Sequence, residues 1–148
     1  MSKKEEALKM FNGNYNCSQS VISVFAEDLG ISKEIAMKIA SGFGAGMAHR
    51  QLSCGAVTAA NMVIGLKFGN YIDGDVYSKQ RTYQLAAQFM NEFETIHKSL
   101  ECRKLTECDF STEQGFIDFK EKNIQEKVCS ECINTSIEIL EKIISDIA

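Results

Sequence analysis

Six cysteines lie along this 148-residue chain: Cys17, Cys54, Cys102, Cys108, Cys129 and Cys132. A thiolate attacks disulfides and binds soft metals, so these side chains have the most chemistry to offer. Their placement matters as much as their number. Cys17 and Cys54 each stand at or beside the predicted start of a helix, and Cys129 and Cys132 straddle a third such start. A helix N-terminus carries about half a positive charge, which favours a thiolate and lowers a thiol's pKa. The expectation is therefore an activated sulfur, with Cys54 or Cys17 the first choice. The competing reading is packing, because a free cysteine is a small hydrophobe that is often buried. Cys17 suits that reading well, since it falls in line with Val21, Val24 and Phe25 by three-and-four spacing.

Smaller motifs narrow the chemistry. Cys129-Ser130-Glu131-Cys132 is a C-x-x-C, the spacing at which two thiols share a disulfide or a metal. No βαβ pattern surrounds it, and residue 133 is Ile rather than His, so neither a thioredoxin fold nor c-type haem attachment is expected. No second C-x-x-C completes a zinc ribbon, and Cys102 with Cys108 is a loose pair, which argues against structural zinc. His49 and Arg50, shortly before Cys54, are placed to raise its thiolate fraction, and Arg103 stands in the same relation to Cys102. A solvated polar loop explains them equally well. Gly42, Gly44 and Gly46 spell G-x-G-x-G with no strand before them, so they read as a tight turn near a neighbouring backbone and not as a dinucleotide site.

The elements that must position these residues are helical. There is no proline, no linker-like tract and no hairpin signal between β-branched runs. Lys3–Phe11 forms a short amphipathic start. Asn16 caps a helix to about Leu29, with Gln19 as its capping-box partner. Ser32 caps the next, with Ile35 and Ile39 on its apolar side. The segment Leu52–Phe68, capped by Ser53 with Cys54 as first helical residue, is apolar on every face and belongs at the centre of a bundle. After the turn Asp73-Gly74-Asp75 a long helix runs to about Leu100, turning Leu85, Phe89, Phe93, Ile96 and Leu100 inward. Ser111 or Thr112 opens a shorter helix, and the last begins near Cys129–Cys132, with Ser130 as a candidate cap. The expected fold is all-α: residues 1–148 as one helical domain, a bundle of six or seven helices around a central apolar helix.

Composition sets the outer limits. The length suffices for a core without staples, so an even cysteine count does not demand a disulfide scaffold. A net charge of −4 disfavours binding driven by phosphate contacts, so no nucleic-acid partner is expected. The N-terminal MSKKEEALKMF lacks the apolar core of a secretion signal, and the longest apolar run, near Ala56–Leu66, is too short to span a bilayer. The expected location is cytoplasmic. Six cysteines are many for that compartment, where thiols are kept reduced, and they are the feature that needs explaining.

The ordered set Cys17-Ser18-Gln19-Ser20-Val21, Gly42–Met47, Cys54-Gly55-Ala56, Gly65–Gly69, Cys102-Arg103 with Leu105, and Cys129 resembles the C-GCAxxG-C-C family. The resemblance covers nearly the whole chain. It implies a redox-active protein named for four cysteines, which fall here on Cys17, Cys54, Cys102 and Cys129, with Cys108 and Cys132 as extras. One position departs: Ala59 stands where the family pattern has glycine five residues after the second cysteine. The resemblance implies redox activity without naming a substrate.

Three functions follow as expectations. The four cysteines exchange thiol for disulfide with a redox partner protein or a small thiol or disulfide. Alternatively, the same four ligate an iron–sulfur cluster, by analogy with related helical segments in multihaem electron-transfer proteins that also carry an iron–sulfur centre. In the third, the chain is a helical interaction module whose cysteines are core. Partner assembly as a homodimer is left open. The first two require Cys17, Cys54, Cys102 and Cys129 to meet in one partly buried pocket.

Overall fold

The computed structural model describes residues 1–147. Among these residues there are eight α-helices and no strand. In chain order they are α1 (Lys3–Phe11), α2 (Cys17–Ala26), α3 (Lys33–Ala40), α4 (Gly55–Phe68), α5 (Val76–His97), α6 (Cys102–Thr106), α7 (Glu113–Glu121) and α8 (Ser130–Ile147). The all-α expectation holds. The count exceeds six or seven because the five-residue α6 is too short to carry a periodic signal.

Local chemistry sets most of the helix starts. Asn16 accepts from the Gln19 amide at 2.8 Å while the Gln19 side chain accepts from the Asn16 amide at 3.1 Å, a reciprocal capping box. Ser32 and Thr112 cap α3 and α7 by single bonds, accepting from the amides of Ile35 and Gly115. Asn16→Ala should therefore lower stability by about 1–2 kcal/mol, read as a shift in the midpoint of urea unfolding at unchanged slope. The loss should include the 3.1 Å bond from Asn16 Nδ2 to the Ser41 carbonyl, which ties α2 to the end of α3.

Helix α4 is the centre. It packs against α2, α5 and α8, and Ala56, Ala59, Ala60, Val63 and Ile64 are completely buried. Its small residues let neighbouring backbones approach, and the buried Ser136 hydroxyl of α8 donates to the Ala56 carbonyl at 2.8 Å. Phe89 and Phe93 of α5 and Ile133, Ile137 and Leu140 of α8 complete the core, all with no exposure. Burying side chains of this size contributes about 1.5–3 kcal/mol each.

Four expectations are corrected. Helix α5 ends at His97, where Lys98 turns left-handed (φ 72°), so Ile96 is 57 % exposed and is not part of the inward stripe. In α3 the small Ala36 and Ala40 face inward, and Ile35 and Ile39 face solvent. Ser53 does not cap α4: Cys54 is the N-cap residue and the helix begins at Gly55. Ser130 lies inside the last helical run, which a π-helical turn at Gln125–Cys129 opens. Among the described residues no helix is long and apolar enough to cross a membrane.

Candidate functional site

The segment between α3 and α4 has unusual backbone. Ala45, Gly46, Met47, Ala48 and His49 all have positive φ, between 50° and 69°, and Gln51 follows at 57°. This is a left-handed turn built mainly from residues with a Cβ, each of which costs about 1–2 kcal/mol relative to right-handed backbone. Long-range turn bonds hold it: the Ala48 amide to the Gly42 carbonyl at 3.1 Å, Gln51 to Ala45 at 3.0 Å and Leu52 to Gly46 at 2.9 Å. A side chain at Gly46 would meet the Gln51 backbone, and one at Gly44 would meet Asn16. The glycine motif is thus a close-approach turn, as its spacing suggested.

The turn delivers the chain to a short antiparallel ribbon. Ser53 pairs with Glu101, the Cys54 amide donates to the Leu100 carbonyl at 2.8 Å, and the Cys102 amide donates to the Leu52 carbonyl at 2.7 Å. These bonds set Cys54 and Cys102 side by side although they are far apart in sequence. Gln51 locks the arrangement from below. It is 6 % exposed; its Nε2 donates to the Cys108 carbonyl at 2.8 Å and to Thr106 Oγ1 at 3.2 Å, and its Oε1 accepts from the Phe110 amide at 2.8 Å. Nothing in the sequence marks Gln51, which reads as one more polar loop residue.

Cys17, the first residue of α2, abuts the start of α4. A Cβ at Gly55 would fall inside the radius of Cys17 Sγ and 3.1 Å from the Phe43 carbonyl, so only glycine lets the sulfur sit there. Cys129 closes the π-helical turn, a distortion that frequently marks functional positions. Cys17, Cys54, Cys102 and Cys129 all line one mainly apolar cavity of about 400 Å³. Cys132, in the first turn of α8, lines it too. The left-handed turn supplies one wall through Ala45, Gly46 and Ala48, and Phe110, Phe116 and Phe119 supply another. Cys108 is 3 % exposed and is absent from the lining.

The electrostatics reverse one expectation. The backbone amides do favour thiolates: those of Ser18 and Gly55 at helix starts and of Ala45 in the left-handed turn point at the Cys17 sulfur, and those of Ala56 and Val57 at Cys54. Burial outweighs them. It pushes the Cys17 and Cys102 thiols up to about 12, with the neighbouring Cys54 adding to the rise in both. Cys54 is raised first by its hydrogen bond with Cys132 and then by burial, and Cys129 is raised by burial and then by the other cavity sulfurs. The thiols are therefore protonated at neutral pH.

The nearby cations do not reverse this. His49 lines the cavity but packs against the rings of Phe110 and Phe116 at 6.3 and 6.0 Å. Arg103 pairs with Asp109 at 3.3 Å. Neither is among the groups that shift Cys54 or Cys102.

An all-sulfur donor set suits an iron–sulfur cluster chemically. Its spacing does not: among the described residues no three His, Cys, Asp or Glu side chains form a group arranged to hold a metal ion.

A family model described as "Putative redox-active protein (C_GCAxxG_C_C)" matches residues 15–143. The chain belongs to this family. The C_GCAxxG_C_C match runs from just before Cys17 to within α8, so it covers every residue that lines the cavity except Phe11. No curated protein and no solved structure matches the chain. Ala59 is fully buried in α4 and does not line the cavity.

Proposed function

We propose that this protein is a thiol-based redox carrier, working as one helical domain, whose cavity cysteines Cys17, Cys54, Cys102 and Cys129 cycle between dithiol and disulfide. The observation that carries the reading is their convergence: four sulfurs from four separate stretches of chain open on one apolar cavity. Packing alone does not call for such convergence. The reaction partner is a disulfide, on a redox protein or a small molecule. One cavity thiolate attacks a partner sulfur, forming a mixed disulfide and releasing one partner thiol. A second cavity thiolate then attacks the mixed disulfide and releases the other. Two electrons leave the protein in each cycle. Cys17 and Cys129, which are half-buried, are the sulfurs an incoming disulfide meets first, whereas Cys54 and Cys102 lie deeper.

The iron–sulfur reading has one specific observation in its favour, the backbone amides aimed at the Cys17 and Cys54 sulfurs. Such donors tune cluster potentials. The four sulfurs would have to draw closer to ligate a cluster.

Anaerobic purification followed by a visible spectrum, an iron assay and a thiol count separates the readings. The expected result is a colourless, iron-free protein that loses thiols in pairs when treated with a small disulfide. A brown preparation with iron and acid-labile sulfide would establish the cluster instead. Native thiols that react only after unfolding would remove both and leave a packing role.

A further inference from the structure

The cavity that holds the cysteines also limits what can reach them. Asp, Glu, Lys and Arg make up 24 % of the chain, yet among the described residues none of them lines this space. We infer that its substrate is a small, uncharged aromatic disulfide. The inference rests on the thiol–disulfide reading above and chooses among the partners that reading leaves open.

Three observations carry it. The first is charge. A charged ligand would lose water on entry and meet no counter-ion, because the ionisable side chains that line the cavity among the described residues are His49 and the cysteines. Most of the other polar side chains on the wall are already engaged. Asn16 accepts from the Gln19 amide and donates to the Ser41 carbonyl, Ser41 donates to the Lys38 carbonyl, and Thr106 donates to the Cys102 carbonyl. The peptide groups that flank a protein disulfide would find few partners there. The second observation is size. A volume of about 400 Å³ lies near the lower end for ligand pockets, roughly 300–1,000 Å³. It suits a small molecule better than the two chain segments that meet at a protein disulfide. The third is the aromatic wall. Phe110 and Phe116 stack at 5.2 Å with their planes 10° apart, and Phe119 meets Phe110 edge-on at 5.2 Å. Phe116 is nevertheless 47 % exposed, which leaves ring surface for an incoming ring to stack on. Aromatic thiols are also acidic, and a lower leaving-group pKa speeds exchange, which suits cavity thiols that burial keeps protonated.

The step is balanced. One cavity S–H bond and the substrate S–S bond break, a mixed disulfide forms, and the first aromatic thiol leaves with the proton. A second cavity S–H bond and the mixed disulfide then break, a protein S–S bond forms, and the second aromatic thiol leaves with the second proton. The protein is oxidised by two electrons and the substrate is reduced by two.

The test measures thiol loss from the folded protein with 2,2′-dithiodipyridine (uncharged, aromatic), 2-hydroxyethyl disulfide (uncharged, aliphatic) and 5,5′-dithiobis(2-nitrobenzoate) (aromatic, doubly negative). High salt screens the net charge of −4. Each rate is divided by that for the urea-unfolded chain, which removes the intrinsic reactivity of the probe. The folded-to-unfolded ratio for dithiodipyridine should exceed that for the dianion by about tenfold and that for the aliphatic disulfide by about threefold. Phe116→Ala, with Phe116→Leu as a second variant in case the smaller residue impairs folding, should narrow the gap between dithiodipyridine and 2-hydroxyethyl disulfide. A ratio for either other probe that matches or exceeds that for dithiodipyridine, or a gap that survives both variants, would overturn the substrate class while leaving thiol–disulfide exchange intact. Thiols that react with none of the three probes until the chain unfolds would overturn both together.

Discussion

Alanine at Gly55 should destabilise the protein and dislodge Cys17 from the cavity. Glycine to alanine near a helix start ordinarily helps, by up to about 1 kcal/mol, because alanine is the better helix former. Here the added methyl would occupy the space of Cys17 Sγ and press on the Phe43 carbonyl and the Ser18 amide, both at 3.1 Å. The sulfur can escape by rotating about its single side-chain torsion. The two backbone groups cannot, because Phe43 and Ser18 belong to turns pinned by the capping box and by the bond from Asn16 to Ser41. Overpacking of this kind costs about 1–3 kcal/mol, enough to outweigh the propensity gain. Two measurements check the prediction. The urea midpoint of Gly55→Ala should fall, and Cys17 in the folded variant should react with iodoacetamide faster than in the wild type. A variant as stable as the wild type, with unchanged Cys17 reactivity, would show that Gly55 does not seat the sulfur.

That contact also marks the boundary of what the sequence discloses. Helix starts governed by a side chain three residues away, such as Asn16 with Gln19 or Ser32 with Ile35, are legible because cause and effect are neighbours. The central position of α4 is legible because a helix apolar on all faces has to be enclosed. The meeting of the four cysteines was legible only as a requirement placed on the fold, and the cavity meets it. The N-cap status of Cys54 was not legible, because its amide is claimed by Leu100 through tertiary pairing and not by a local cap. Nor was the left-handed turn at 45–49: Met47, Ala48 and His49 have no preference for positive φ, and the conformation is held by its bonds to Gly42, Ala45 and Gly46. Cys132 falls outside the four cysteines that the family resemblance implies, and its place in the cavity lining depends on helix packing that no local pattern encodes.

The left-handed turn and the raised thiols belong to one physical picture. Strained backbone persists where its surroundings over-determine it, and it clusters at functional positions. Here the strained residues Ala45 and Ala48 line the cavity, so the strain gives it a wall of small side chains and a backbone amide aimed at Cys17. The same close enclosure excludes water, and exclusion of water raises the thiols above their ordinary range. Thiols enclosed in this way hold their protons, and their reactivity depends on hydroxide concentration.

Stability and reactivity should therefore both change steeply in alkali. The Cys17 and Cys102 thiols are pushed up to about 12, chiefly by burial, whereas a thiol in the unfolded chain titrates near about 8.5. The folded pKa is the higher one, so the native state is the better proton binder. The stabilisation is fully present below about pH 8.5, and it is lost as pH rises from there through about 12. By pH 10 the loss should be on the order of 1–2 kcal/mol for each of the two thiols. The urea midpoint should fall between pH 8 and pH 10 by more than in a Cys17→Ser/Cys102→Ser variant, which retains every lysine and tyrosine that also titrates in this range. Reactivity runs the opposite way. The alkylation rate of the folded protein should climb about tenfold per pH unit from 7 to 10 without levelling, because the thiolate fraction keeps growing until the pKa is reached. A plateau near pH 8 would mean that the amides of Ala45, Ser18 and Gly55 prevail over burial at Cys17, and that the centre is an activated thiolate after all.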